Sequence, residues 1–214
     1  MPRPSRNVDQ LLLKAGRELL PATGVRALSI RQVTERAGVN LGMFHYHFKT
    51  KGVFVRAILE SQYNRMFASL EIATHRSTSV VENLRAAVMV LALFGRDNRL
   101  LLVRLAGDAL AGEVMAVEFL RANLPRHLAV IAALIAQGQK IGRFRKMPMP
   151  QAIAFLMGGV GAPILLGAAL VNSGFAPPPL ASGLDDTVFS DAAIRERIEM
   201  ALTGLAAKKS GAGK

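Results

Sequence analysis

Three residues, Gly38, Val39 and Asn40, separate two short stretches whose apolar residues recur at helical spacing, and this pairing constrains the fold more than any other feature. Upstream, Ser29 and Gln32 have the spacing of a capping box, and Ile30, Val33 and Ala37 form one stripe with Thr34 at its edge. A glycine tolerates the left-handed backbone of an abrupt helix end, so Gly38 closes this helix and Asn40 is placed to cap the next. The next helix is expected over Leu41–Phe48. In it Phe44 and Phe48 lie four apart and can face a core, while Leu41 with His45, and Gly42 with Tyr46, form outward rows. Two short helices about a tight turn make a helix-turn-helix.

A further helix begins after Thr50, flanked by Lys49 and Lys51. The outward residues suit the surface of a nucleic acid. Tyr46, His45 and His47 can donate hydrogen bonds to phosphates, His45 can reach a base edge, and Leu41 can touch a thymine methyl. Gly42, lacking a Cβ, lets the helix start come close to a phosphate backbone, and the unpaired amides of helix starts attract phosphate. Lys49 and Lys51 add positive charge beside them. By periodicity alone the segment also fits a plain helical hairpin with a solvated basic face.

Residues 24–51 resemble the DNA-binding domain of the tetracycline-repressor (TetR) family: a glycine ending the first helix, Ser-Ile-Arg-Gln-Val opening the second, then Ala-Gly-Val-Asn and the aromatic run HYHFKTK. The resemblance implies an all-α fold, with an N-terminal three-helix helix-turn-helix domain and a C-terminal helical domain for ligand binding and dimerisation. It implies phosphate contacts at Ser29, Arg31, Tyr46, His47 and Lys51, and approach to bases at Asn40, Leu41, Gly42 and His45. Three positions depart from the family's pattern, which usually has Tyr where His45 stands, often a polar residue at Leu41, and often Glu at Gly52. These departures keep the fold and change the base-reading chemistry. The resemblance covers the first quarter of the chain; beyond it only helical content and length agree.

Length and charge fit a two-part protein. A chain of 214 residues, 51% of them hydrophobic, can bury a sizeable core. The formal net charge of +12 is unevenly spread: residues 1–56 hold 10 Lys and Arg against 3 Asp and Glu, and residues 57–214 hold 17 against 12. Cations concentrated around the helix-turn-helix speed encounter with polyanions and make binding weaken with salt; they would also attract an acidic membrane surface. The absence of cysteine excludes a disulfide framework and thiolate metal sites, which suits the cytoplasm. Residues 1–20 contain one short apolar cluster, Leu11, Leu12 and Leu13, and then charges, so no secretory signal is expected. They are expected to form the first helix, with Leu11, Ala15 and Leu19 covering the next two helices and Gly24 as its stop. The expected domains are 1–52, binding DNA, and 53–207, helical, followed by a disordered basic tail, 208–214.

One stretch points to another class of protein. Residues 152–171 carry no charge and approach the ~20 residues needed to cross a bilayer, and Arg143, Arg145 and Lys146 before them imitate a positive-inside flank. Four glycines and Pro163 within the stretch, with no aromatic belt, favour instead a helix at the centre of a helical dimer, so no membrane partner is expected. Other helices are expected over 53–73, 79–94, 98–110 and 113–137, the last kinked at Pro125. A basic connector, 138–150, follows them. The prolines and glycines of 174–187 predict a long irregular surface loop. The last helix should start at Ser190, with Phe189 and Ile194 as a hydrophobic staple and Ile194, Ile198, Ala201 and Leu205 as its apolar face.

By the resemblance, the larger domain dimerises through its last two long helices, here 152–171 and 192–205, and holds a small-molecule effector that changes the spacing of two DNA-binding heads. A homodimer is also physically reasonable, because a twofold pair buries one apolar patch twice and mirrors a palindromic operator in double-stranded DNA. Such heads meet successive major-groove faces ~34–36 Å apart, or a multiple of that. An effector that favours another spacing lowers operator affinity. Candidate pocket residues are Met89, Leu93, Phe94, Phe119, Phe155 and Met157, with Arg104, Asp108 or His127 as polar handles. Ordinary core packing and an intrahelical pair of Arg104 with Asp108 fit the same residues. No cofactor is expected, and no enzyme. The terminal Gly-Ala-Gly-Lys lacks phosphate-loop spacing, Gly158, Gly159 and Gly161 follow no strand, and His45 and His47 point to different helix faces, a poor metal pair. The sequence thus predicts a ligand-responsive dimeric transcription regulator, a repressor in the cytoplasm released by a small, largely apolar molecule. The alternatives are a membrane-anchored DNA-binding protein spanning at 152–171, and a small-molecule enzyme that retains the helix-turn-helix head.

Overall fold

Amphipathic stretches with glycine, serine and threonine at their ends fold as helices throughout the residues described by the computed structural model, 7–207, and no strand forms among them. The first three are α1 (Val8–Ala27), α2 (Ile30–Ala37) and α3 (Leu41–Phe48), followed by α4 (Lys51–Ala73). In α1 the buried row is Leu12, Ala15, Gly16 and Leu20, whereas Leu11 is 45% exposed and Leu19 only half-buried. The expected row of Leu11, Ala15 and Leu19 is thus rotated by one residue. Gly16 explains the rotation, because its missing side chain lets α1 close onto Phe54 and Ile58 of α4, where a Cβ would have no room. Helical geometry in α1 breaks at Gly24, as expected, with φ 71° and ψ −178°.

The described residues divide into two compact units. One comprises the chain up to Arg65 together with Leu100–Asn123; the other comprises Met66–Arg99 and the chain from Leu124 onward. The unit holding the helix-turn-helix therefore reaches past residue 52 and takes in α6 (Arg99–Leu110) from Leu100 and the start of α7 (Val114–Lys140). Its core includes an aromatic cluster in which Phe54 meets Phe44 and Phe48 edge-on, at centroid distances of 5.1 and 4.9 Å. Further along α4, the Tyr63 hydroxyl donates to the Asn123 carbonyl at 2.7 Å, and Arg56 pairs with Glu118 at 2.8 Å.

In the second unit α5 (Val80–Asp97) packs on α11 (Asp191–Leu205). Ser190 caps α11 by accepting the Ala193 amide at 3.2 Å, and Phe189 and Ile194 are both buried, as a staple requires. Ile194, Ile198, Ala201 and Leu205 form its buried face, joined by Leu202. Arg85 of α5 pairs with Glu199 of α11 at 2.6 Å and with Glu82, and Arg96 pairs with Asp191 and Asp97. Hydrogen bonding to Arg85 holds the Glu199 carboxyl below the usual carboxylate range. This tether is present above the unfolded carboxylate pKa, about 4.3, and fades as the pH falls through the lower folded value.

Two expectations for this part of the chain need correction. Pro125 lies inside α7, where it supplies no N–H to the helix. The apolar run 152–171 is not one regular helix: α8 (Met149–Leu156) widens into a π turn (Met157–Gly161) before α9 (Ala162–Ser173). Glycines at 158, 159 and 161 weaken helical propensity there, and Pro163 lacks the N–H that a regular helix would pair. The segment 174–187 is not an irregular loop, because α10 (Pro178–Leu184) and a second π turn (Asp185–Phe189) occupy most of it. Its prolines stand at the cap and first positions of α10, where no N–H is needed, so they start a helix instead of preventing one. By length and composition two helices, Val114–Lys140 and Met149–Ser173, could cross a bilayer. In the latter, Ala152, Leu156, Val160, Ile164, Gly167 and Ala168 are buried in the second unit. The expected tail, 208–214, lies outside the described residues.

Candidate nucleic-acid interface

The turn that precedes α3 is built by its own three residues. Gly38 adopts φ 67° and ψ 33°, its amide donating to the Glu35 carbonyl at 3.2 Å, and the Val39 amide donates to Thr34 at 3.0 Å. Asn40 then caps α3 through Oδ1, which accepts the Met43 amide at 3.0 Å. Ser29 has the extended backbone of a cap for α2, but its hydroxyl makes no capping bond, so the capping box with Gln32 does not form. That hydroxyl is left to meet another acceptor or donor, such as a phosphate.

Burial on one side of α3 fixes what the other side displays. Phe44 is fully buried and Phe48 nearly so, which turns Leu41 (50% exposed), Gly42, His45 and Tyr46 (75% exposed) outward, as the spacing predicts. A Cβ on Gly42 would meet only Asn40 Oδ1, at 3.2 Å, so the surface above this residue is open. His45 Nδ1 lies 3.2 Å from the Lys49 carbonyl. A carbonyl can only accept, so Nδ1 carries the proton, and in the neutral ring Nε2 faces outward as an acceptor. His47 differs from its neighbours. It is half-buried, its ring stands edge-on to Tyr46, and its Nε2 is covered without a hydrogen-bond partner, leaving it less to offer a phosphate.

The cations around α3 are partly engaged. Arg31 pairs with Glu35 at 2.9 Å on a side chain that is 87% exposed; such pairs are worth at most about 1 kcal/mol, so a phosphate can take the place of Glu35. Lys51 is less mobile than its sequence position suggests, because Nζ donates to the Arg26 carbonyl at 2.9 Å. Its other two N–H groups remain for a phosphate. Arg36 ties α2 to α1 through Glu18 at 2.9 Å. Two contributors have a role here that the sequence reading did not give them. Thr50 Oγ1 accepts the Val53 amide at 3.2 Å and so caps α4, a role its place before a helix could have signalled. Asp108 accepts the Val25 amide at 2.6 Å, and nothing local signals a bond across 83 residues.

The candidate effector residues fall in both units. Met89, Phe94, His127 and Phe155 belong to the second and Arg104, Asp108 and Phe119 to the first. Met89, Phe94 and His127 are half-buried. Phe155 is exposed on one side and lies against Gly204 on the other, where a Cβ would come within 2.5 Å of its ring, so it is a surface residue. Arg104 is exposed and makes no ion pair with Asp108, whose carboxylate is taken by backbone amides. Phe119 is buried edge-on to Tyr63.

Comparison with known proteins matches this geometry. Residues 12–58 match the family model described as bacterial regulatory proteins, tetR family. A comparison with curated protein sequences found no match. Solved structures share the fold over nearly the whole chain. A Clostridium perfringens protein provisionally described as a fatty acid metabolism regulator is 13% identical, with 92% of this chain and 100% of that one covered and a TM-score of 0.70. A bacterial regulatory protein in the tetR family from Rhodococcus RHA1 is 18% identical, covering 96% and 100%, with a TM-score of 0.67. HlyIIR, a hemolysin II transcriptional regulator, is 17% identical, covering 94% and 98%, with a TM-score of 0.64. Residues 12–58 thus form a domain of the type found in the tetR family of bacterial regulatory proteins, and the chain shares the fold of these solved structures along nearly its whole length.

Proposed function

We propose that this chain is a ligand-responsive dimeric transcription regulator, a cytoplasmic repressor that grips a palindromic operator through α3 and is released by a small, largely apolar effector. The observation that carries the DNA-binding part is the outward row of α3, Leu41, Gly42, His45 and Tyr46, held in place by the buried Phe44 and Phe48. Ser29, Arg31, Tyr46 and Lys51 surround it with phosphate-binding groups, while Asn40 supports the start of the helix. The half-buried Met89 and Phe94 favour an apolar effector. Selection of bound fragments from random duplex DNA tests the function. A palindrome should be enriched, and Tyr46→Ala with Lys51→Ala should weaken its binding; no enriched palindrome, with binding unchanged in those variants, would overturn the proposal.

Two single substitutions separate grip from reading. Lys51→Ala should weaken binding to operator and random duplexes alike and lower the slope of log K against log salt by about one, if Lys51 neutralises one phosphate. His45 presents an acceptor in its neutral form, which suits the N–H groups of adenine N6 or cytosine N4 in a major groove. His45→Ala should therefore relax the preference for A or C at one operator position, at a cost of ~1–3 kcal/mol on the preferred duplex. Equal losses on operator and random DNA would make His45 a positioning residue only.

A further inference from the structure

Beyond the break at Gly24 the end of α1 serves as the linker to α2, and it is held by two opposite charges from distant parts of the chain. Asp108 Oδ2, from the last turn of α6, accepts the Val25 amide at 2.6 Å and lies 3.4 Å from that of Arg26. On the other side the Lys51 ammonium, at the start of α4, donates to the Arg26 carbonyl at 2.9 Å. Bonds between a carboxylate and backbone amides are charge-assisted and shorter than neutral ones. Gly24 is fitted to this acid, since a Cβ there would lie 2.6 Å from Oδ2.

From this geometry we infer that Asp108 is a positioning residue for DNA binding, its carboxylate setting the angle at which the helix-turn-helix leaves α1; the inference rests on the DNA-binding function proposed above. Only Ala27 and the buried Leu28 separate the clasped linker from Ser29, the cap of α2. The direction of α2, and through the Gly38 turn that of α3, follows from where Val25 and Arg26 are held. Base-edge contacts need the reading helix in one place, whereas phosphate contacts from flexible side chains tolerate small shifts. Loss of the clasp should thus cost sequence discrimination more than general affinity for DNA.

The test uses full-length wild type, Asp108→Ala and Asp108→Asn, the last keeping an acceptor oxygen without its charge. Amide hydrogen exchange is followed at Val25 and Arg26. Affinity is measured for the duplex that wild type enriches from a random pool and for a random-sequence duplex of equal length. In Asp108→Ala both amides should exchange about tenfold faster or more, and affinity for the enriched duplex should fall about tenfold. Affinity for random DNA and its salt slope should hold, with Asp108→Asn intermediate. Unchanged exchange and discrimination in the folded variants overturn the inference, as does an equal loss on both duplexes, which would mark Asp108 as a contributor to folding alone. If Asp108→Ala does not fold, Asp108→Asn and Asp108→Glu decide by the same comparison. Should wild type enrich no duplex, the parent proposal fails and this one with it; should it enrich one that Asp108→Ala and Asp108→Asn bind as tightly, this one alone fails.

Discussion

Replacing Gly24 with alanine is expected to lower the unfolding free energy by about 3 kcal/mol, a loss composed of backbone strain and a displaced carboxylate. At φ 71° and ψ −178° the residue lies in a region that is essentially closed to side chains, and the new methyl would stand 2.6 Å from Asp108 Oδ2. Gly38 supplies the control. It also has positive φ, but its ψ of 33° places it in the left-handed helical region, and a Cβ there would meet nothing within 4 Å. Gly38→Ala should therefore cost only the conformational penalty, about 1 kcal/mol. Urea midpoints of the two variants, measured with wild type, check the difference. If Gly24→Ala costs no more than Gly38→Ala, the crowding at Asp108 does not constrain the linker.

That contrast also shows which parts of the head were legible in the sequence. The α2 stop at Gly38, the Asn40 cap and the outward row of α3 depend on partners within four or five residues, so spacing and residue type were sufficient. The Asp108 clasp joins positions 83 apart, and an aspartate four residues from an arginine reads locally as an intrahelical pair. Gly16 was passed over for a similar reason: a search for bulky apolar residues at helical spacing misses a row whose tightest contact is made by having no side chain. The three prolines at the cap and first positions of α10 were read as helix breakers because their effect depends on position, and only the structure places them at a helix start. Pocket residues were hardest to recognise. Met and Phe at helical spacing fit core, surface or cavity equally well, and Phe155 proved to be at the surface.

Phe155 is one of several large apolar side chains that the 149–173 segment leaves exposed. We propose that this chain pairs with a second copy of itself through 152–171 with 192–205. Leu165, Leu166, Leu170 and Val171 of α9 are exposed, with Leu166 at 63%, and Met200 of α11 is exposed as well. Gly158 and Gly159 in the π turn are also exposed, and a Cβ on either would meet nothing within 4 Å. Small residues that nothing covers allow another backbone to come close. Two substitutions exploit this difference between the single chain and the pair. Leu166→Glu places a charge on the face, which an isolated chain can solvate and a buried interface cannot. Gly159→Leu enters space that is empty in one chain and would be filled by the partner in two. Both variants should keep their helix content by circular dichroism while sedimenting as monomers where wild type sediments as a dimer. Operator affinity should fall by about a hundredfold or more, because each head must then bind its half-site alone. Dimers that persist in both variants would place the interface on another surface, and a monomeric wild type would remove the twofold basis for a palindromic operator.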